Sequence, residues 1–252
     1  YGQKIGPPNP PKPPLPPLSA SGEPDEWTEV EKIILKRRSV RNFKDKEVPE
    51  TLIRRVLEAG RFAPSGGNCQ PWQFIVITNK KKIETLNQAI RGMMAGYYQM
   101  YSNDEQVKVL ARQFESPPRP GMFDWRFLGG VKAVGFGSLP VFMNAPVVIL
   151  ILGDERAIGG ADINIGICGQ NMCLAAHSLG LGSCWVGFSQ VINMMPPLRQ
   201  MLGIEPPWVV SSAIVIGYPA FKQHGMLTRE FRPVIWHRKG KEEPEIDDIE
   251  EE

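Results

Sequence analysis

Only four of the 252 residues are cysteine and only three are histidine. Cys69, Cys168, Cys173 and Cys184 never form a Cys-x-x-Cys pair, so the spacings that hold zinc or an iron–sulfur cluster are missing and no metal is expected. A chain of this length can bury roughly three quarters of the surface its unfolded form exposes and needs no disulfide staple. Reduced thiols and a cytoplasmic protein are therefore expected. Long apolar runs are scarce too. The longest, Val147 to Leu152 after Pro146, is far short of the ~20 residues that span a bilayer, and its β-branched content reads as a buried strand, so no membrane is expected. No signal-peptide core stands near the start, and because the first residue is Tyr1 rather than Met, something upstream is expected to have been removed or left out. No internal repeat occurs. No basic stripe interleaved with aromatics appears either, which argues against a nucleic-acid partner.

What is present begins with composition. With 42% hydrophobic and 22% charged residues, disorder throughout is excluded. The net charge of +2 hides two unequal parts. Residues 242 to 252 hold eight acids and no base, so the rest has 29 bases against 19 acids and carries +10. A body this basic points to an anionic ligand, either nucleic acid or a phosphorylated small molecule. Residues 1 to 24 include nine prolines and read as a polyproline arm, serving as a tether or as a ligand for a proline-binding module. The expected organisation is an arm over 1–26, a domain over 27–240 with an insertion or lid at about 91–140, and an acidic tail over 241–252.

Between the tails, helical and strand patterns alternate, as in α/β or α+β folds. Helices are expected over Trp27 to Arg38, after Pro49, from Lys80 to about Met94, from about Asp162 to Leu179 with Gly180 as C-cap, and around Val191 to Leu202. Strands are expected at Phe74 to Thr78, Val147 to Leu152, Ser183 to Val186 and Val209 to Gly217. The fifty residues after Met94 are rich in Gly, Pro and aromatics and read as irregular.

Four clusters could carry chemistry. Arg37-Arg38-Ser39-Val40-Arg41 crowds three guanidinium groups that repel one another unless an anion or carboxylates neutralise them; the alternative is a solvated basic helix end. Ala63-Pro64-Ser65-Gly66-Gly67-Asn68-Cys69-Gln70-Pro71-Trp72 has two glycines that admit a flat ligand close to the backbone, with short polar side chains beside them. It lacks the lysine and hydroxyl of a phosphate loop. Gly180-Leu181-Gly182-Ser183-Cys184-Trp185-Val186-Gly187 is a strand bounded by glycines, which reads either as an ordinary turn or as a strand end offering N–H groups. Arg229 and Arg232 stand just before Pro233, after the last strand.

Taken together, RRSVRNF, APSGGNCQPWQFIVI, LGLGSCWVGF and VIGYP with a downstream Arg-Pro resemble the flavin-dependent nitroreductase family, from about Glu29 to Ile235. The resemblance implies an α+β three-layer sandwich with a central mixed β-sheet, and an intertwined homodimer with two FMN sites at its interface. It implies that Arg37 and Ser39 hold the FMN phosphate and ribityl chain with Arg38 beside them, and that Arg41 faces the pyrimidine edge. Pro64, Ser65, Gly66 and Asn68 would reach the flavin from the partner chain. Val186 and Gly187 would offer backbone N–H groups near N5 and O4, and Arg232 with Arg229 would complete the phosphate site. Many family members have glutamate where Val186 stands here.

The implied activity is ping-pong hydride transfer from NADH or NADPH, through flavin N5, to a nitroaromatic, quinone or similar electron-poor acceptor. No side-chain nucleophile is required, and none is assigned as catalytic. Tyr97, Tyr98, Tyr101, Phe123, Trp125 and Phe127 could stack on a flat substrate as a lid or pack on one another. His177 reads as packing. Other chemistries share this fold: reductive dehalogenation, flavin fragmentation, ring dehydrogenation or ferredoxin-fed reduction. A non-enzymatic flavin sensor is the rival from another class.

Overall fold

A computed structural model of the chain describes residues 11–12, 14–101, 125–222, 224–230 and 234–247. They divide into two compact units. One is the described part of Arg37–Gln223; the other comes from Lys4–Lys36 and His224–Glu252.

In the second unit, β1 (Pro11–Lys12) pairs antiparallel with β6 (Arg229–Glu230), and β7 (Val234–Trp236) pairs with β8 (Glu245–Asp247). Its helix α1 (Glu29–Lys36) starts in a capping box: the Thr28 N–H and hydroxyl donate to Glu31 Oε2, each at 2.7 Å, and the Glu31 N–H donates to Thr28 Oγ1 at 3.3 Å. The helix is shorter than its apolar pattern predicts, and Val30 and Ile34 on its apolar face are exposed. Part of the expected acidic tail is β8, where Glu245 pairs with Arg238 at 3.2 Å and with Lys241.

The first unit is organised by β3 (Val147–Asp154), an apolar run with seven of its eight residues buried. It lies inside a four-stranded sheet of order β2-β3-β5-β4, with β2 over Trp72–Ile77, β4 over Gly182–Val186 and β5 over Trp208–Gly217. All three pairings in this sheet are antiparallel, and the isolated Ser39–Ser183 bridge adds a parallel contact beside β4. Alternation along β3 divides the core. Val148, Leu150 and Leu152 face one side with α3 (Lys80–Tyr101) and α4 (Trp125–Gly135), whereas Val147, Ile149 and Ile151 face the other with α2 (Glu50–Arg61) and α5 (Ala161–Ser178). The result is a three-layer sandwich. Each fully buried Val, Leu or Ile contributes roughly 1.5–3 kcal/mol relative to leaving it in water.

Helix α2 follows from its sequence. Pro49 precedes it, Glu50 and Arg61 match the dipole at its two ends, and Ile53, Val56 and Gly60 turn inward at helical spacing. Gly169 of α5 marks the closest approach of helix to sheet, because a Cβ there would lie 2.2 Å from the Trp185 ring. Two expected boundaries move. α3 runs on to Tyr101, with Met94 buried against Val131 and Val134 of α4, so part of the stretch expected to be irregular is packed helix. The helix expected around Val191 to Leu202 is a 3-10 segment (Gly187–Met194) followed by α6 (Pro196–Leu202). Pro196 begins α6 at the position where a proline costs no hydrogen bond.

Candidate functional site

The Arg37–Arg41 segment lies along the outer edge of β4. Ser39 bridges Ser183, the Val40 N–H donates to the Ser183 carbonyl at 2.9 Å, and Val40 covers Gly182 so closely that a Cβ there would be 2.7 Å from it. Past Arg41 the chain is clamped to the segment after β5: the Lys44 N–H donates to Tyr218 O at 2.8 Å and the Ala220 N–H to Asn42 O at 3.0 Å. Arg37, Arg38 and Ser39 are half-buried and Arg41 is exposed. Among the described residues neither Arg37 nor Arg41 takes part in an ion pair. The buried thiols report the local field. Burial pushes the Cys184 thiol up, opposed by the Arg41 charge, a Ser39 hydrogen bond and the Arg37 charge. Burial likewise raises the Cys173 thiol, opposed by Ser183 and Arg37. Both thiols thus lie close enough to the arginine segment for its charge to oppose the effect of burial.

Beyond Val186, Gly187 is exposed, and an added Cβ would meet nothing within 4 Å. The Val186 carbonyl is held by the Ser189 hydroxyl at 2.8 Å, which fixes the turn into the 3-10 segment. The end of β4 therefore presents open backbone that a flat ring could approach.

Pro64, Ser65, Gly66 and Asn68 lie in the turn between α2 and β2. Gly67, Asn68 and Gln70 have positive φ angles of 57°, 55° and 46°, a tight left-handed course that glycine and asparagine tolerate. The turn is tied down from within by Ser65 Oγ, which accepts from the Gln70 N–H at 2.9 Å. It is tied from outside by buried Asn164 of α5. The Asn164 Oδ1 accepts from the Gly66 N–H at 3.0 Å, while its Nδ2 donates to Ile158 O at 3.1 Å and Gly160 O at 2.7 Å. Sequence reasoning missed Asn164; its only signal is an amide side chain between two isoleucines in the first turn of the helix.

The structure does not bring the arginine segment and this turn to one place within one chain. The turn leads into β2 and the arginines flank β4, the two outer strands of the sheet. Three strand spacings, about 14 Å in all, separate β2 from β4. Arg229 is exposed in β6 of the other unit, and Arg232 lies outside the described residues. Among the aromatics, Tyr98 packs edge-on to Phe136 with ring centroids 5.3 Å apart, and the Tyr97 hydroxyl donates to Met194 Sδ at 3.5 Å. Phe123 and the side chains of Tyr101, Trp125 and Phe127 lie outside the described residues. Among those described, no cluster of His, Cys, Asp or Glu could hold a metal, and no helix is long and apolar enough to cross a membrane.

Helices on both faces of an antiparallel sheet define an α+β protein, not a doubly wound parallel one. The model of the nitroreductase family matches residues 34–218, and the chain belongs to that family of oxidoreductases. Among curated proteins it is 28% identical over 190 residues to one from Methanothermobacter thermautotrophicus named as an NADH dehydrogenase/NAD(P)H nitroreductase, covering 74% of this chain and 75% of that one. It is 27% identical over 208 residues to the 4-nitrobenzoate reductase of a Nocardioides strain, covering 74% and 78%. Among solved structures, a nitroreductase with bound FMN from Bacteroides fragilis shares the fold at TM-score 0.59 and 24% identity, covering 79% of this chain and 95% of that one. An FMN complex from Desulfovibrio desulfuricans matches at TM-score 0.51 and 27% identity, covering 78% and 89%.

Proposed function

We propose that this chain is an FMN-dependent NAD(P)H oxidoreductase that acts as a homodimer and reduces a nitroaromatic, quinone or similar electron-poor compound by a ping-pong route. The observation that carries the reading is the Arg37–Ser39–Arg41 segment, which has two guanidinium groups without an ion pair among the described residues and runs beside β4, the strand that ends at the open backbone of Gly187. This donor set fits FMN: cations and a hydroxyl suit a phosphate, and a glycine strand end suits a flat ring. Bound FMN supplies the ability to take up and hand on hydride at N5.

The protein's part is placement and charge. Arg37, Arg38 and Ser39 would hold the phosphate end. Arg41 would contribute a positive charge beside the flavin that favours its reduced form. The backbone at Val186 and Gly187 would hold the ring. Pro64, Ser65, Gly66 and Asn68 close the site from the partner. The distance between the two halves within one chain supports that last assignment. So does α5, which leaves Ile163 67% exposed and Ile167 one turn further on exposed as well, with Ile158 64% exposed ahead of it; exposed apolar side chains of this kind suit an interface.

The test is the absorbance spectrum of purified protein reconstituted with FMN, followed by anaerobic addition of NADH and NADPH. Flavin absorbance that bleaches with either donor is expected. Absence of bound flavin sinks the proposal, and bound flavin that neither donor reduces favours a sensor or a ferredoxin-fed enzyme. Arg41→Ala should weaken FMN binding by about 10–100-fold, from the ~1.5–3 kcal/mol of one charge-assisted contact. Unchanged affinity and potential would show that Arg41 is misassigned.

A further inference from the structure

Strand β4 stops at Val186, opposite Ala213, whereas β5 reaches back a further five residues to Trp208, and among the described residues no strand pairs with that stretch on the β4 side. Buried Val210 and Ser211 therefore need other partners for their backbone groups. Side-chain amides of the 3-10 segment supply them. Asn193 meets both groups of Val210: its Oδ1 accepts from the Val210 N–H at 2.8 Å, and its Nδ2 donates to the Val210 carbonyl at 2.9 Å. Gln190 Nε2 donates to the Ser211 carbonyl at 2.6 Å. Ser211 is also where the β3–β5 register shifts, so it has no residue opposite it on β3. The segment stands in for a continuation of β4, with two amide side chains in place of a ladder.

These bonds bear on Gly187, the first residue of the segment. Gly187 is exposed and has no side chain, and even a Cβ there would touch nothing within 4 Å. Its position is set by the chain on either side of it. Before it, Val186 is held in the β4–β5 ladder and by the Ser189 hydroxyl; after it come the residues that Gln190 and Asn193 fasten to β5. Contacts of the segment with the helices are of a looser kind. The Phe188 ring lies against Gly130 of α4, its Cζ 3.1 Å from where a Cβ would stand, and the Tyr97 hydroxyl reaches Met194 Sδ at 3.5 Å. An apolar contact and a bond to a weak sulfur acceptor tolerate sliding, whereas the amide bonds are directional and fix the segment's register on the sheet.

We propose that Gln190 and Asn193 are positioning residues of the flavin site, which tune the flavin by fixing the Gly187 backbone that would hold its ring. This inference rests on the flavin reading given above. The reduced ring is the more electron-rich form and gains more than the oxidised ring from backbone dipoles held in place. Loosening the segment therefore weakens the reduced complex more than the oxidised one and lowers the midpoint potential.

The test measures binding of oxidised and reduced FMN to the full chain, together with the midpoint potential. Gln190→Met removes one bond from an exposed position and keeps the length of the side chain, and Asn193→Leu removes two. Affinity for reduced FMN should fall about 3–10-fold in the first and about tenfold or more in the second, with oxidised FMN affected less. The limiting rate of flavin reduction should fall with it while the dissociation constant of NADH or NADPH stays within about twofold. Asn87→Leu is the control. It removes a bond of the same kind, from the Phe142 N–H to Asn87 Oδ1 at 3.3 Å, and should lower the melting temperature without moving the potential. An unchanged potential in the two segment variants overturns the proposal, as does an equal shift in Asn87→Leu, which would trace the effect to general stability. If Asn193→Leu does not fold, Gln190→Met decides alone. Wild-type protein that binds no FMN overturns the flavin reading and this inference together, whereas FMN bound by every variant at one potential overturns this inference alone.

Discussion

Asn164→Ala removes a buried side chain that hydrogen-bonds the Ser65–Asn68 turn to α5. Asn164 is 3% exposed and makes three hydrogen bonds, to the Gly66 N–H and to the carbonyls of Ile158 and Gly160. At about 1 kcal/mol per bond, the loss is about 3 kcal/mol, with more where a group is left buried and unpaired. For a chain of this size that lowers the melting temperature by roughly 6–12 °C. Scanning calorimetry or urea unfolding measures the global loss, and exchange of the Gly66 amide measures the local one, which should rise by more than global unfolding accounts for. FMN should also dissociate faster, because the turn is assigned to the flavin of the partner. Asn164→Asp tests the direction of the bonds. It keeps the acceptor for Gly66 but sets a carboxylate against two carbonyl oxygens, so it should be no more stable than the alanine variant at neutral pH. A loss under about 1 kcal/mol for Asn164→Ala, or an unchanged Gly66 amide, refutes the reasoning.

Three other outcomes follow from named contacts. Gly169→Ala places a Cβ 2.2 Å from Trp185 Cη2 and should cost about 1–3 kcal/mol by thermal melting, with Trp185→Phe in the same chain restoring part of it; an unchanged melting point would mean the helix shifts freely. The side-chain hydrogen bond from Arg156 holds Asp154 at about 2, below its ordinary 3.8, so this contribution is present above about pH 4 and lost as pH falls through about 2. Urea midpoints of the wild type should therefore exceed those of Arg156→Ala at pH 5 and converge with them toward pH 2; a gap that does not change with pH contradicts the pairing. An aromatic disulfide reagent at pH 8 should titrate one fast thiol, exposed Cys69, because burial pushes Cys168 up to about 12 and raises Cys173 and Cys184 as well; two fast equivalents would contradict the burial.

Much of the fold is legible because its signals are local. Val147 to Leu152 reads as a buried strand on composition alone, and a helix ending before Gly180 follows from periodicity and one glycine; both elements form within a residue or two of where they are expected. The misses have local causes as well. Glycines and tyrosines after Met94 suggest a loop, yet packing against α4 carries α3 to Tyr101, since burial outweighs a propensity penalty of at most ~1 kcal/mol per residue. The reverse holds for α1, where Val30 and Ile34 mark an apolar face that is exposed in the chain.

By itself the sequence determined the family, because RRSVR and APSGGNCQPW are contiguous motifs whose residue types state their chemistry: cations for an anion, glycines for close approach. It also determined that the body is basic and metal ligands scarce, since those are sums over composition. Only the tertiary structure decided which of these residues share a face. Strand order is non-local, so no motif could announce that the arginine segment and the Ser65–Asn68 turn sit at opposite edges of one sheet. Nor could it announce that Ser39 of the arginine segment bridges Ser183 of β4, because that is a contact between positions far apart in the chain.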